Sequence, residues 1–229
     1  MPDLLRLAMG ADVRDMFMVH TMMHREFQLL PQLVRDVAEG DTKRAAVVAR
    51  HAELLCLVLH LHHEGEDVIL WPLLLERGGD QALAIVPTME EQHHGIEAAL
   101  ELVTMLLPGW KATTRNGEAL AGAFDVLFDR LLEHMTTEEN KILPLAEKLV
   151  TAAEWAKLGE HGLSKSPKKD LPLVLGMTMY EGDPEVVGEV LSHAPLMARL
   201  IMPLVAPRLY ASHARRVHGT ATPARVGRR

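Results

Sequence analysis

The chain has 229 residues, long enough for one hydrophobic core with an appendage, and its formal net charge of −7 argues against nucleic-acid binding through bulk charge. Hydrophobic residues make up 48% of the chain and aromatic residues only 4%, a composition that favours helices over sheets. The single cysteine, Cys56, excludes an internal disulfide, and the N-terminal residues lack the apolar run of a signal peptide, so we expect a cytoplasmic protein without a membrane segment.

Helical periodicity predicts five to seven helices and no strand. The first four are long, and the fifth opens with a capping-box pattern at Thr151. A polar hinge covers 163–172, after which Asp183–Pro184 caps another helix. The predicted ranges are 12–37, 41–77 with a bend near Pro72, 81–107 with a break near Pro87, 116–150, 151–161, and a final helix ending near 217.

These ranges divide the chain into three parts. Residues 12–161 form the predicted bundle, and 162–217 form a C-terminal helical extension packing on it. Residues 218–229 form a basic tail that we expect to be disordered and solvated.

Two segments of the chain repeat the same pattern. His-x3-Glu occurs at 62–66 and again at 134–138, and each copy is followed by Pro-Leu ten positions after its histidine. A single histidine precedes each copy at nearly the same distance, His20 by 42 residues and His93 by 41. A duplicated pair of helices that each supply a histidine and then His-x3-Glu indicates a two-metal site inside a bundle.

The helical phase places these side chains in the apolar seams of the first four helices. In the second helix the seam continues past the His-x3-Glu motif to Ile69 and Leu73. An unpaired buried carboxylate costs on the order of several kcal/mol, whereas two divalent cations would offset the charge and use the imidazole lone pairs. No residue beyond the ligands is predicted to be catalytic. The predicted ligands are His20, His62, Glu66, His93, His134 and Glu138.

The chain contains thirteen histidines, so most are not explained by these seams. His24, one turn after the first predicted ligand, and His161, after the fifth helix, are alternative ligands. His63 is expected to hydrogen-bond around the ligands instead of binding metal. The others are expected on helix surfaces or have no spacing that indicates chemistry: His51, His60, His94, His193, His213 and His218.

The combined pattern resembles the hemerythrin-like HHE cation-binding domains over about Val13–His161. The segment after Lys165 is similar to C-terminal extensions of some bacterial, especially actinobacterial, members. The residues that carry the resemblance are Val19-His20, Arg25-Glu26, Leu29-Leu30-Pro31, His62-x3-Glu66, Trp71-Pro72, Gln92-His93, Ile96, His134-x3-Glu138 and Leu143-Pro144.

The resemblance implies an all-α, up-down-up-down four-helix bundle with additional C-terminal helices. It also implies a non-haem di-iron centre, two Fe ions joined by an oxo or hydroxo bridge. Within that centre the four seam histidines would be terminal ligands, and Glu66 and Glu138 would bridge or chelate the metals.

The chain departs from the oxygen-carrying hemerythrins, which place two histidines one turn apart on the third helix and His-x4-Asp on the fourth. Here Met89 stands four residues before His93, and the fourth helix has His-x3-Glu. One of the usual five histidines is therefore unassigned, and His24, His161 or an open metal position takes its place. An open position favours reactivity over reversible oxygen carriage.

These residues support three functional hypotheses. In the preferred one, the centre reacts with O2, H2O2 or NO, either in catalase-like or peroxidase-like chemistry or in protection against oxidative and nitrosative stress. The second is reversible oxygen binding, storage, or iron or oxygen sensing without turnover. The third is a bundle held by zinc, because imidazole and carboxylate ligands without thiolate suit Fe, Mn or Zn. A monomer or homodimer is expected in each case.

Overall fold

The computed structural model describes residues 10–227, and apart from an isolated bridge between Gly10 and Thr151 this range contains no β structure. The expected fold class, an all-α bundle with additional C-terminal helices, is confirmed. The elements in chain order are α1 (Arg14–Arg35), α2 (Thr42–Gly65), a first π-turn (Glu66–Leu70), α3 (Trp71–Arg77), α4 (Gly79–Thr113), α5 (Gly117–Thr137), a second π-turn (Glu138–Ile142), α6 (Leu143–Leu149), α7 (Ala152–Lys165), α8 (Leu171–Met179), α9 (Pro184–Ser192) and α10 (Leu196–His218).

The third long helix, α4, is longer than predicted. It continues through Pro87, where a break was expected, and past Pro108, where the sequence pattern indicated its end. Leu107 and Trp110 are buried on either side of Pro108, so the packing of this apolar face outweighs the hydrogen bond that proline cannot make. The chain turns only after Thr113, where Thr114 adopts a positive φ of 59°.

Each copy of the repeated motif contains a π-helical turn that begins at its glutamate. The backbone N–H of Trp71 donates to the carbonyl of Glu66, and that of Leu143 donates to the carbonyl of Glu138. The next residue in both copies is proline, which has no N–H to donate and crowds the carbonyl four residues earlier. A widened turn therefore stands where a bend near Pro72 was predicted.

A π-turn adds one residue to the helix and shifts every later side chain by one position. Leu70 and Leu74 are fully buried, whereas the predicted seam residues Ile69 and Leu73 are only half-buried. In the second copy Ala146 is buried in place of the preceding leucine. The prediction that the buried face of the second helix continues in unbroken α-helical phase after Glu66 was therefore wrong by one residue.

One compact unit comprises residues 10–13, 57–98 and 129–166. Within it α3 packs on α6, and α7 packs on the first π-turn. The predicted capping box is present, because Thr151 Oγ1 accepts from the Glu154 N–H at 3.3 Å and the Glu154 carboxylate accepts from the Thr151 N–H at 3.0 Å. Arg77 also donates to both carboxylate oxygens of Glu154, at 2.7 and 2.8 Å, and so ties α3 to the start of α7.

The second unit comprises residues 14–56, 99–128 and 167–227. Within it the C-terminal helices α8 and α10 pack against each other, and α8 and α9 pack against α1. The fully buried Arg25 donates to the carboxylates of Glu26 at 2.9 Å and Glu181 at 2.6 Å. The hydroxyl of Tyr210 donates to Glu26 at 2.6 Å, so α10 shares this buried polar network with α1.

The close approach of α8 to α10 depends on Gly176. A Cβ atom at this position would overlap the backbone carbonyl of Ala206, which cannot move away as a flexible side chain could. We expect Gly176→Ala to lower the free energy of unfolding by about 1–3 kcal/mol, the usual cost of overpacking. Urea unfolding followed by circular dichroism measures the difference.

Gly188→Ala is the matched control, because a Cβ at this position of α9 meets no atom within 4 Å. Replacing a helical glycine with alanine there should stabilise the protein by about 0.5–1 kcal/mol. Equal unfolding midpoints for the two variants would contradict the close packing of α8 on α10.

The chain after α10 makes specific contacts as far as residue 227, although the composition suggested a disordered tail from residue 218. His218 is the last residue of α10, and the Tyr180 hydroxyl donates to the carbonyl of Pro223 at 2.9 Å. The backbone N–H of Gly227 donates to the Glu181 carboxylate at 3.1 Å. Two arginines of the predicted basic tail, Arg228 and Arg229, lie outside the described residues.

Within residues 10–227, Thr42–Arg77 is the one helical stretch with the length and hydropathy to cross a membrane. The core helix of a water-soluble protein meets the same two criteria. This stretch also carries His51 and Glu66, both fully buried, so it contributes polar side chains to the interior of the protein.

Candidate metal centre

The end of α2 and the first π-turn place the side chains of His62 and Glu66 together. Glu66 is fully buried, and its Oε1 lies 3.0 Å from Nε2 of His62, one helical turn earlier. Since histidine and glutamate four residues apart share a helix face, this pair follows directly from the sequence. The π-turn that starts at Glu66 widens the backbone at this point, a feature common at functional sites.

The helices α4 and α5 bring two further histidines to the same carboxylate. Nε2 of His93 lies 3.2 Å from Glu66 Oε2 and 3.3 Å from Nε2 of His134. His134 Nε2 in turn lies 3.8 Å from Glu138 Oε2, and a ligand atom of Glu138 lies within 4.8 Å of one of His62. The structure therefore brings five of the six predicted ligands together in one compact unit.

His63 is also part of this cluster, although the sequence interpretation placed it among the residues around the ligands. Its ring stacks on His93 with centroids 4.1 Å apart and meets the His134 ring edge-on at 4.8 Å. The ligand atoms of His63, Glu66, His93 and His134 lie within 4.8 Å of one another. Burial, and then the charge of His93, hold the pKa of His63 well below its ordinary value, so its imidazole is neutral, as a metal ligand must be.

The geometry around Glu66 fits a shared cation better than direct hydrogen bonds. Neither carboxylate oxygen makes a hydrogen bond, although ring nitrogens of His62 and His93 approach to 3.0 and 3.2 Å. Ligand atoms about 2.1 Å from one metal ion and at right angles to each other are separated by about 3 Å. The donor set and its spacing therefore fit one or more first-row transition-metal ions.

Asp67 orients the ring of His93. Its Oδ1 lies 2.7 Å from His93 Nδ1 and also accepts from the indole N–H of Trp71 at 2.9 Å. Burial lowers the pKa of His93, but the hydrogen bond to Asp67 and the carboxylate of Glu66 raise it more, to about 9. This position therefore favours a positive charge between the two carboxylates, and a proton on Nδ1 would leave Nε2 with a free lone pair.

The two alternative ligands named from the sequence, His161 and His24, are not part of this cluster. His161 belongs to the same unit, where its side chain is 15% exposed and its Nε2 lies 3.3 Å from Glu64. His24 belongs to the other unit, where its ring centroid lies 5.4 Å from that of Phe128. Neither belongs to a group of converging ligand atoms among residues 10–227. His20 is fully buried on α1, and its part as a ligand stays a prediction.

Two functional residues were missed by sequence reasoning, His63 as a member of the cluster and Asp67 as the partner of His93. A strict α-helical phase turns both of them away from the seam. The signal that could have found Asp67 is the proline that follows in both copies of the motif, because it favours the widened turn that re-aims the side chains after Glu66. His63 lies before the turn, so this signal does not bear on it.

The comparison with known proteins agrees with this site. Residues 5–146 match the hemerythrin HHE cation-binding domain. The chain is 26% identical over 151 residues to the iron–sulfur cluster repair protein YtfE of Enterobacter sp. strain 638, which covers 61% of this chain and 67% of that protein. The same-named proteins of Citrobacter koseri and Edwardsiella ictaluri are 26% and 27% identical over 133 and 124 residues, which cover 54% and 53% of this chain and 59% and 56% of those proteins. No solved structure matches the chain.

The alignments span between 56% and 67% of the length of these relatives. The family match, in contrast, includes both His-x3-Glu motifs and both glutamates at which the π-turns begin. It covers well over half of this chain and coincides with the residues whose buried imidazoles and carboxylates converge. The chain therefore belongs to the hemerythrin HHE cation-binding domain family.

Proposed function

We propose that this protein holds two iron ions and uses them to react with dioxygen, hydrogen peroxide or nitric oxide in protection against oxidative or nitrosative damage. The observation that carries the proposal is the convergence of four buried ligand side chains within 4.8 Å of one another. A purely structural core would leave the buried, unbonded carboxylate of Glu66 without compensation. The protein would act in the cytoplasm as a monomer or homodimer.

The donor set supports iron, because imidazoles and carboxylates without thiolate suit Fe, and the family match points to a cation. Iron bound there would supply the electron transfer towards O2, H2O2 or NO. The predicted histidine of α1 completes the proposed set of ligands: His20, His62, His63, Glu66, His93, His134 and Glu138.

The protein's own residues would hold, orient and shield the centre. Asp67 fixes the tautomer and the ring orientation of His93, and the Glu66 and Glu138 carboxylates offset part of the metal charge. Ile96 and Leu131 are fully buried, each three residues before or after a ligand along its helix, and would form an apolar wall beside the centre. The low aromatic content leaves few oxidisable rings in the chain.

The name of the relatives suggests one setting for this chemistry. They are called iron–sulfur cluster repair proteins, and we propose a related role for this chain. Iron–sulfur proteins would then be its macromolecular partners, in addition to the small molecules that react at the centre.

Metal analysis of protein purified without added metal tests the proposal. We expect about two iron ions per chain, as a bundle with a duplicated ligand set should hold, and an ultraviolet–visible band from oxo-to-ferric charge transfer. Consumption of H2O2 or NO by the iron-loaded protein, absent after chelation, would support turnover. Zinc or no metal would contradict the proposal, and a stable O2 adduct without turnover would favour the alternative of reversible oxygen binding or sensing.

His63→Ala tests which histidine completes the set. We expect this variant to lose about one of the two iron ions, because His63 is the unassigned imidazole that reaches the cluster. His60→Ala is the matched control, since His60 lies on the same helix with its side chain 53% exposed. His24→Ala and His161→Ala should also keep their iron. Full iron in His63→Ala, or loss in either of these two variants, would contradict the assignment.

A further inference from the structure

A second cluster of imidazole and carboxylate groups lies in the unit that contains the C-terminal helices. It joins Glu26 on α1, His51 on α2 and His218 at the end of α10, and their ligand atoms lie within 4.8 Å of one another. Glu26 and His51 are fully buried, and the side chain of His218 is only 5% exposed. No spacing in the sequence indicated this cluster.

Two ring nitrogens face the same carboxylate oxygen. Oε2 of Glu26 lies 3.1 Å from Nε2 of His218 and 3.2 Å from Nε2 of His51. The His51 nitrogen is buried and makes no hydrogen bond, although the carboxylate oxygen lies only 3.2 Å away. A buried polar atom without a partner is costly, and a cation in the space that these atoms share would remove that cost.

The surrounding residues hold two of the three groups, Glu26 and His51, in an orientation suited to a metal. The other Glu26 oxygen, Oε1, accepts from Arg25 Nε at 2.9 Å and from the Tyr210 hydroxyl at 2.6 Å, which leaves Oε2 towards the histidines. Nδ1 of His51 lies 3.1 Å from Nε2 of His213, and this contact fixes the His51 ring. Hydrogen bonds of this kind to the far side of each ligand are typical of metal sites.

The local charge also favours a cation. Arg25 is the buried cation beside Glu26, but it also donates to Glu181 at 2.6 Å, so a second carboxylate offsets its charge.

We propose that Glu26, His51 and His218 bind a single divalent first-row transition-metal ion, separate from the proposed di-iron centre. Two imidazoles and one carboxylate form a set used for Zn²⁺ and for non-haem Fe²⁺, with further positions open to water or a ligand. The metal would tie the end of α10 to α1 and α2, and so gives the C-terminal extension a binding role.

Zinc binding by the full chain tests this site. Protein stripped of metal by a chelator is dialysed against Zn²⁺, and the bound zinc per chain is measured by mass spectrometry. We expect wild type to hold about one ion more than His218→Ala, since two remaining ligands bind zinc poorly. His193→Ala, an exposed histidine in the same extension, is the matched control and should equal wild type. The difference in zinc content between wild type and His218→Ala can be measured whether or not the di-iron centre binds metal. A negative result for one proposal therefore does not decide the other.

Anomalous diffraction from wild-type crystals soaked in Zn²⁺ provides a measurement that needs no variant. A peak about 2.0–2.2 Å from Glu26 Oε2, His51 Nε2 and His218 Nε2 is expected. Equal zinc content in wild type and a folded His218→Ala, or no peak among these three residues, would overturn the proposal and leave a hydrogen-bonded histidine cluster.

Discussion

Replacing Glu66 with glutamine should remove nearly all iron from the purified protein. Glu66 offers one oxygen towards His62 and the other towards His93, so it is the group around which the cluster is arranged. Glutamine keeps the shape but removes the negative charge and turns one oxygen into an NH2 group without a lone pair. Mutation of residues that only support metal ligands typically lowers metal affinity 10–100-fold. Replacing Glu66, a ligand itself, should therefore lower the affinity for iron more than about 100-fold.

Iron content by mass spectrometry and the charge-transfer absorption measure this effect. Glu97→Gln is the matched control, because Glu97 is an exposed glutamate on α4 that contacts only the edge of this region, 3.6 Å from His60. It should retain full iron and the wild-type spectrum. A Glu66→Gln protein with wild-type iron content would place the metal elsewhere and contradict the proposed centre.

The part of the site that depends on local helix geometry is predictable from the sequence. His62 with Glu66 and His134 with Glu138 lie four residues apart, and helical periodicity alone places each pair on one face. The duplication then indicates that the two pairs serve the same centre. The bounds of the first four helices were also close to those observed, except where burial around Trp110 carries α4 beyond Pro108. The C-terminal part was predicted less well, because α7 continues to Lys165 and α8 (Leu171–Met179) was not predicted, so the polar hinge expected at 163–172 is shorter than predicted.

The π-turns limit how far such periodicity can be extended. Each adds one residue at its glutamate, so positions after Glu66 and Glu138 no longer follow the phase of the preceding helix. Asp67 comes directly after Glu66 and was not singled out from the sequence. His63 precedes the turn and was expected only to hydrogen-bond around the ligands. The helical period of the sequence does not show where a π-turn inserts its extra residue, because proline and tertiary packing together determine that position.

The cluster at Glu26 was not predictable for a different reason. Its contacts join residues far apart in the chain, since Glu26 and His218 are separated by 192 positions and His51 and His213 by 162. No repeat or regular spacing relates α10 to α1 or α2. Only the packing of the C-terminal helices within their unit brings these side chains together.

Arg25 is the centre of the buried polar network in the same unit, and its loss should have the largest effect on stability. The guanidinium is fully buried, donates to Glu26, Glu181 and the carbonyl of Met177, and lies over the ring of Tyr180 at 5.1 Å. Burial lowers the pKa of Arg25, but the charge of Glu26 and other contacts raise it above its ordinary value, so it is charged at every working pH. Its removal leaves two buried carboxylates without their cation.

We expect Arg25→Met to lower the free energy of unfolding by about 3–5 kcal/mol, because methionine replaces much of the volume and none of the charge. For a chain of this size the melting temperature should fall by about 6–20 °C. Arg35→Met is the control, since Arg35 pairs with Glu118 and Asp125 at the surface and should cost less than about 1 kcal/mol.

The double variant Arg25→Met/Glu181→Gln distinguishes two causes of the lost stability. One is the loss of the attraction between Arg25 and Glu181, and the other is the cost of a buried carboxylate without its cation. If most of the cost is the buried carboxylate left behind, neutralising Glu181 should recover part of the lost stability. Additive losses would mean instead that water reaches Glu181 once Arg25 is gone. An Arg25→Met protein as stable as Arg35→Met would contradict the buried network that joins α1 to the C-terminal helices, because an uncompensated carboxylate in a closed core cannot be neutral in free energy.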